Sequence, residues 1–160
     1  DYYAGTAIGN RFCVFLDFGQ FEYVDEYLNW LESRDDIFAG LPRVLEAYVH
    51  LHRLEDVERL LHRFQDVIQD WAASIHPYQQ QLYLRFRYAY ALYHFASKRF
   101  SEGLYEVLDV AYAANQIGNR ERFKQCILIY WEYREYVTVA HEAMYVKLFQ
   151  TENMIKQLLK

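Results

Sequence analysis

Residues 88–119 read YAYALYHFASKRFSEGLYEVLDVAYAANQIGN. Apolar side chains recur every three or four positions up to Ala96 and again from Phe100, which is the spacing of amphipathic helices. The polar residues between the two runs predict a tight turn. Gly118-Asn119 predicts a helix end, because both residue types tolerate a positive φ. The stretch therefore predicts two helices joined as a hairpin.

The rest of the chain repeats this pair of helices with variations. Hairpins are predicted over 2–33, 41–73, 78–116 and 120–150. Thr151–Lys160 is predicted to be a short extra helix or an extension of the last one. The sequence predicts one all-α domain over 1–160, built as an α-solenoid of about four antiparallel hairpins plus a short C-terminal helix.

Two helix boundaries in the second hairpin follow from particular residues. Pro42 is tolerated in a first helical turn, because the N–H that it lacks has no partner there. A helix is therefore predicted to begin close to Leu41. The second helix of that hairpin is predicted to run without a break from Leu54 to Trp71.

The turns within the hairpins share a spacing. A ring or large side chain stands six residues before an apolar residue that opens the next helix, and the pairs are Phe15/Phe21, Tyr48/Leu54, His94/Phe100 and Tyr130/Tyr136. Successive openers are 33, 46 and 36 residues apart. Two of these intervals lie near the period of about 34 residues that is typical of tetratricopeptide repeats.

Composition supports helices and excludes several classes of protein. Only 2 Pro and 6 Gly interrupt a chain that is 53% hydrophobic and 19% aromatic, which disfavours turn-rich β folds and disorder. No apolar run reaches the length of a membrane span. The N-terminal 36 residues hold 8 acidic and 2 basic side chains. The charge pattern predicts no nucleic-acid contact from this segment, so that DNA binding would need a further domain.

The first residue and the two cysteines indicate whether the chain is part of a longer protein and in which compartment it lies. The first residue is Asp rather than Met, which predicts a piece of a longer protein or a processed one. Cys13 and Cys126 lie in apolar helical patterns and favour free thiols in the cytoplasm, with a single disulfide as the alternative.

Some residues resemble the tetratricopeptide motif. Gly19-Gln20-Phe21 stands where that family often has Gly-Asp-Tyr, and Ala91, Phe100 and Gly103 occupy its small, aromatic and small positions. The chain is therefore similar to a degenerate tetratricopeptide array.

A narrower resemblance covers residues 80–150. RYAYALY, the turn RF, SEGLYEVLDVA and then NRERFKQCILIYWEYREY resemble the C-terminal repeats of the Rap/PlcR class of Gram-positive peptide-pheromone receptors. This resemblance implies a short signalling peptide in a concave groove, a homodimer, and a transcriptional or signalling output domain outside the segment. The implied function is regulation by peptide sensing, as in quorum sensing.

The tetratricopeptide register predicts which side chains face that groove. We expect charged residues to meet a carboxylate and rings to flank an apolar side chain. The predicted peptide- or partner-binding residues are Thr6, Asp17, Glu46, His50, Arg85, Tyr88, Lys124 and Trp131.

No pattern predicts catalysis, a metal site or a cofactor. His141-Glu142 begins like a zinc-protease helix, but Tyr145 stands where the second histidine is required. The glycines form no phosphate-binding loop, and no nucleophile elbow is present. The sequence therefore predicts a protein that is not an enzyme.

A second function remains open beside peptide sensing. The chain can be a constitutive scaffold that docks a folded partner through its groove or through its acidic first hairpin. The acidic residues that would carry such docking are Asp25, Glu26, Asp35 and Asp36.

Overall fold

A computed structural model describes residues 2–34 and 37–159, with the side chains of 5–34, 37–150 and 158–159. These described residues form nine α-helices and two short 3-10 turns, and no strand occurs among them. The all-α prediction is confirmed, while the stacking of hairpins into a solenoid stays a prediction. The helices are α1 (Tyr2–Asp17), α2 (Val24–Ser33), α3 (Ile37–His50), α4 (Leu54–Arg63), α5 (Gln65–Ala73), α6 (Pro77–Ala96), α7 (Phe100–Gln116), α8 (Arg120–Glu132) and α9 (Val139–Leu158).

The chain divides into two compact units, unit 1 (Asp1–Ala89) and unit 2 (Tyr90–Lys160). The boundary falls within α6. Each unit buries its own set of apolar side chains. The single domain predicted over 1–160 stays a prediction.

In unit 1 the core lies mainly where α3 packs against α2 and α4. Helix α3 places Leu41, Val44 and Tyr48 on one stripe at spacings of three and four, and all three are buried. Val24 and Leu31 of α2 are buried as well. Burial of this stripe explains why a run with a proline inside it is helical, since packing of an amphipathic face outweighs local propensity.

In unit 2 α7 is the central helix and packs against both α8 and α9. Leu104, Val107 and Ala111 are fully buried or nearly so. Gly103 lets the ring of Phe95 approach the α7 backbone, because a Cβ added there would lie 2.9 Å from that ring. Glycine at this position thus fixes how closely the end of α6 approaches α7.

Four turns share one backbone geometry. Gly19, His52, Lys98 and Gly118 all have a positive φ, between 58° and 83°. In each turn, the N–H of the residue with positive φ donates to the carbonyl oxygen three residues earlier. The N–H of the next residue donates to the carbonyl oxygen five residues before it. This is the Schellman motif, which satisfies carbonyl groups at the end of a helix. The helix stop predicted at Gly118-Asn119 is confirmed, and the Asn119 side chain caps α8 by accepting from the Arg122 N–H at 3.1 Å.

The six-residue spacing predicted from the sequence has its origin in this motif. At three of the four predicted pairs, the ring residue provides the carbonyl that accepts the longer bond, as when Arg99 N donates to His94 O at 2.8 Å. The prediction is wrong for Tyr130/Tyr136. There α8 ends at Glu132 and a 3-10 turn covers Arg134–Tyr136. No residue from 133 to 136 has a positive φ.

The start of α3 differs from the prediction. The helix begins at Ile37 rather than near Leu41, so that Pro42 lies inside it. The apolar stripe continues upstream of the proline, since Ile37 and Gly40 are buried. Gly40 lies against Leu31 and the Tyr27 hydroxyl of α2, where a Cβ would clash. Burial of this first turn stabilises helix on the N-terminal side of the proline.

The helix predicted from Leu54 to Trp71 is interrupted. Helix α4 ends at Arg63, Phe64 has φ −108° and ψ 19°, and α5 begins at Gln65. The Phe64 ring is buried edge-on against Phe38 with centroids 6.3 Å apart. The bend turns this ring into the core of unit 1.

The last helix also differs from the prediction. It begins at Val139 rather than Tyr136 and continues without a break to Leu158. Thr151–Leu158 therefore extends α9. The predicted alternative of an extension is confirmed, and the prediction of a separate short C-terminal helix is wrong.

Candidate functional site

Unit 1 contains a cavity of about 320 Å³ bounded by α1, α2, α3 and the start of α6. Its wall combines backbone, polar groups, rings and guanidinium groups. The lining residues are Gly5, Thr6, Gly9, Asn10, Cys13, Tyr27, Trp30, Leu31, Arg34, Ala39, Arg43 and Tyr78.

Two glycines of α1 form one side of this cavity. Gly5 and Gly9 lie one helical turn apart, so they share a face. A Cβ on Gly9 would lie 2.6 Å from the Trp30 ring, and a Cβ on Gly5 would overlap the Arg34 guanidinium. Trp30 and Arg34 therefore pack directly on the α1 backbone. Arg34 lies 5.3 Å from the centroid of the Trp30 ring, within cation–π range.

The cavity wall is joined through Arg43 to an ion-pair network. Asp17 Oδ1 accepts from Arg43 Nε at 3.2 Å and from Arg85 Nη2 at 3.1 Å. Arg43 lines the cavity, and Asp17 ties it to α1 while Arg85 ties the same carboxylate to α6. The network fixes the position of one of the two cations in the cavity wall.

A thiol and a phenol stand beside Arg43. Cys13 Sγ lies 3.6 Å from the Tyr27 hydroxyl. Burial, together with the Cys13 thiol, raises the pKa of Tyr27 well above its usual value. Tyr27 is therefore a neutral phenol at physiological pH and presents a hydrogen-bonding group to the cavity. Cys13 and Cys126 are both free thiols.

Three of the predicted binding residues are brought to this region. Thr6 lines the cavity and is exposed. Asp17 and Arg85 bind each other directly. The carboxylate that Arg85 contacts in the structure is thus one of the protein's own.

Three others take different positions in unit 1. Glu46 Oε1 lies 3.8 Å from His50 Nε2, and the His50 ring stacks on Phe21 with centroids 4.4 Å apart. Tyr88 is 8% exposed, so nearly all of its ring is buried. The remaining two predicted residues, Lys124 and Trp131, belong to unit 2.

Lys124 and Trp131 share one exposed face of α8 with Leu128. The three positions are four and three residues apart, which places them on one helical stripe. Leu128 is 69% exposed and Trp131 is 50% exposed. Trp131 Nε1 donates to the Tyr145 hydroxyl at 3.1 Å, and the Tyr145 ring stacks on Tyr130. We name this surface, made of Lys124, Leu128 and Trp131, the α8 face.

A second cavity, of about 400 Å³, lies between α7 and α9 of unit 2. Apolar side chains and one Asp and one Lys form its wall. They are Leu108, Asp109, Tyr112, Met144, Lys147 and Leu148.

His141 is fully buried and has a structural position. Its Nδ1 accepts from the Thr138 N–H at 2.9 Å, and its Nε2 lies 3.1 Å from the Ser101 carbonyl oxygen. A carbonyl oxygen can only accept, so Nε2 carries a proton and donates to it, while Nδ1 accepts. The Thr138 and His141 positions match a capping box in which histidine replaces the usual glutamate. No group of three or more His, Cys, Asp or Glu side chains suited to a metal ion occurs in the described part of the chain.

The acidic first hairpin is partly engaged within unit 1. Asp25 accepts from Arg53 Nη1 at 2.7 Å and from the Tyr48 hydroxyl at 2.9 Å. The bond from Arg53 holds the pKa of Asp25 below its usual value. Asp35 and Asp36 lie outside the described residues.

Sequence reasoning missed most of the cavity wall. Gly5, Gly9, Trp30, Arg34 and Arg43 were not among the predicted binding residues. One signal was present, because two glycines four residues apart in a helix permit a close neighbour on that face. Nothing in the sequence shows that Trp30 and Arg34 are that neighbour.

Comparisons with protein-family models, with curated proteins and with solved structures gave no match to this chain. The resemblance to tetratricopeptide arrays and to peptide-pheromone receptors therefore stays a prediction. Among the helices of the described residues, none combines the length and apolar character that a membrane crossing requires.

Proposed function

We propose that this chain is a peptide- or protein-binding helical domain of a regulatory protein. It senses a short signalling peptide and acts on a transcriptional or signalling output domain outside this segment. The observation that supports this function is the α8 face, where a leucine and a tryptophan stand exposed beside a lysine.

The composition of the α8 face suits recognition of a polypeptide. Tryptophan is enriched among the residues that dominate binding energy at interfaces, because it offers a large apolar area with few rotatable bonds. Leu128 extends that area by one turn, and Lys124 supplies a charge at its edge. A peptide with an apolar side chain next to a carboxylate is complementary to this arrangement.

Trp131 is also held in place before any partner binds. The hydrogen bond from its Nε1 to Tyr145 restricts the indole, and the stack of Tyr145 on Tyr130 restricts the acceptor, with ring centroids 4.4 Å apart. A side chain already ordered in the free protein loses less conformational entropy on binding. This argument favours a binding role over a purely solvated one.

The experiment selects peptides of seven residues from a random display library against the complete protein. Their affinities are then measured by calorimetry for wild type, Trp131→Ala and Leu128→Ser. We expect each substitution to weaken binding by about tenfold or more, as truncating an interface anchor does. Val139→Ser is the matched control, since Val139 is an exposed apolar residue of α9 that is not part of the α8 face. Equal affinities for all four proteins would refute the role of the α8 face.

The scaffold alternative is tested by substitutions in the acidic first hairpin. Asp25 is bound to Arg53 and Tyr48, so reversing its charge would disturb packing as well as any docking. Glu26 is exposed and provides the cleaner substitution. Capture of a partner that is lost on Glu26→Lys and weakened by salt would favour the scaffold.

A further inference from the structure

The cavity of unit 1 shares no residue with the α8 face and calls for a ligand of another kind. We propose that it binds a small carboxylic acid with a planar, ring-sized apolar body, of the phenylacetate or indole-acetate type. This site goes beyond the peptide-binding function and does not depend on it.

The size of the cavity favours a small molecule. Its volume of about 320 Å³ lies at the lower end of the range of about 300–1,000 Å³ typical of small-molecule sites. About ten water molecules would fill the same space, since each occupies roughly 30 Å³ in the liquid. One ring with a short acidic side chain therefore fits, whereas a peptide of several residues does not.

The charges in the wall favour an anion. Among the described residues that line the cavity, Arg34 and Arg43 are cationic and none is acidic. Arg43 engages Asp17 through Nε, and that carboxylate is not itself part of the lining. A guanidinium group binds a carboxylate through two parallel hydrogen bonds, which makes an organic acid its natural small-molecule partner.

The remaining wall favours a flat apolar body. Trp30 contributes a partly exposed ring, and the Tyr27 ring beside it is 3% exposed, with centroids 6.2 Å apart and planes inclined by 19°. Gly5 and Gly9 also line the cavity, where Arg34 and Trp30 pack on the α1 backbone. Rings stack favourably when offset and nearly parallel, so a planar ligand matches this geometry better than a branched one.

The test uses phenylacetate and indole-3-acetate as probes of the complete protein labelled with ¹⁵N. We expect saturable shifts of the backbone amides of α1 and of the Trp30 side-chain signal. Phenylacetamide lacks the charge and acetate lacks the ring, so both should bind at least about tenfold more weakly, the usual consequence of losing a charged hydrogen bond or a ring contact. Equal shifts with phenylacetamide, shifts confined to the α8 face, or no shifts with either acid would each overturn the proposal.

Variants separate the cavity from the rest of the surface. Arg34→Gln removes one cation, and Ala39→Leu fills part of the cavity while leaving both arginines in place. Both should weaken phenylacetate binding by about tenfold or more. Arg11→Gln is the matched control, since Arg11 is an exposed arginine of α1 outside the lining. Circular dichroism verifies the fold of each variant, and normal binding by a folded Ala39→Leu protein would overturn the proposal.

Cys13 provides an independent readout inside the same protein. Its thiol lines the cavity, whereas Cys126 is buried in unit 2. Saturating phenylacetate should slow alkylation of Cys13 severalfold and leave Cys126 unchanged. An unchanged Cys13 rate at saturation would count against the site. Because the peptide test depends on Trp131 and Leu128, failure of either proposal leaves the other standing.

Discussion

At the scale of single residues, His94 shows the cost of a buried polar group. It is 5% exposed, and no hydrogen-bond partner for its Nδ1 occurs among the described residues. Its Nε2 lies 3.7 Å from Glu102, and the Tyr90 ring lies 4.3 Å from its own. Burial lowers the pKa of His94 below its usual 6.5, although the Glu102 carboxylate opposes that shift. The folded protein therefore favours the neutral ring.

This shift predicts that acid destabilises the protein through His94. At His94 the unfolded chain binds a proton near the usual pKa of 6.5, whereas the folded chain binds it only at lower pH. The contribution of the neutral His94 to the free energy of unfolding is therefore fully present above pH 6.5 and is lost as the pH falls below that value. Urea unfolding at pH 7.5 and 5.5 should show a smaller loss for His94→Phe than for wild type. His76→Gln, which changes an exposed histidine, should retain the wild-type loss. The same loss in His94→Phe would contradict this explanation.

His141 shows how little a local motif says about the contacts of a side chain. The sequence places Glu142 beside it, as at the start of a zinc-protease helix, but Tyr145 stands where the second histidine is required, so that no metal site was predicted. The structure instead pairs it with Thr138 and with Ser101, 40 residues earlier. The Ser101 contact depends on how α7 packs against α9, which no spacing within α9 reveals.

At the scale of elements, the Schellman turns explain why three of the turns between helices were predictable. The motif fixes the number of residues between the last helical carbonyl groups and the next helix, so a six-residue spacing appears in the sequence wherever the turn occurs. Phe15, Tyr48 and His94 follow this rule. Helix bounds that depend on tertiary packing, such as the start of α3 upstream of Pro42 and the bend at Phe64, do not follow from spacing.

Two of these turns contain residues that are strained in the left-handed region, and Lys98 gives a clean test. It is exposed and has φ 63°, where a side chain costs roughly 1–2 kcal/mol relative to glycine. Lys98→Gly should therefore raise the free energy of unfolding by about 1 kcal/mol, after allowance for the more flexible unfolded chain. Chemical denaturation measures the change.

Gly118→Ala is the reverse experiment on the same motif. Gly118 has φ 75°, and no atom lies within 4 Å of the Cβ that alanine would add. The loss of about 1 kcal/mol expected there reports backbone strain alone. A loss of stability in Lys98→Gly would show that its side chain makes a stabilising contact.

At the scale of the whole molecule, the sequence predicted the kind of element and most helix starts better than it predicted the site. The spacing of apolar positions is local, and α1, α4, α6, α7 and α8 begin within one residue of their predicted starts, whereas α2 and α9 begin three residues late. The cavity of unit 1 needs α1, α2, α3 and the start of α6 together with the Asp17 network. Residues that are far apart in the chain and meet in a cavity leave no periodic pattern in the sequence.

The division into two units predicts separate responses to core damage. Leu41 of unit 1 and Leu104 of unit 2 are both 0% exposed. Replacing either with alanine should cost about 2–5 kcal/mol, because a buried leucine leaves a cavity behind. Hydrogen exchange read residue by residue should show faster opening of α2 and α3 in Leu41→Ala, and of α7 and α8 in Leu104→Ala. Leu128→Ala, at an exposed position of α8, is the control and should leave every helix protected. If Leu104→Ala left α7 and α8 as protected as in wild type, α7 would not be the central helix of unit 2.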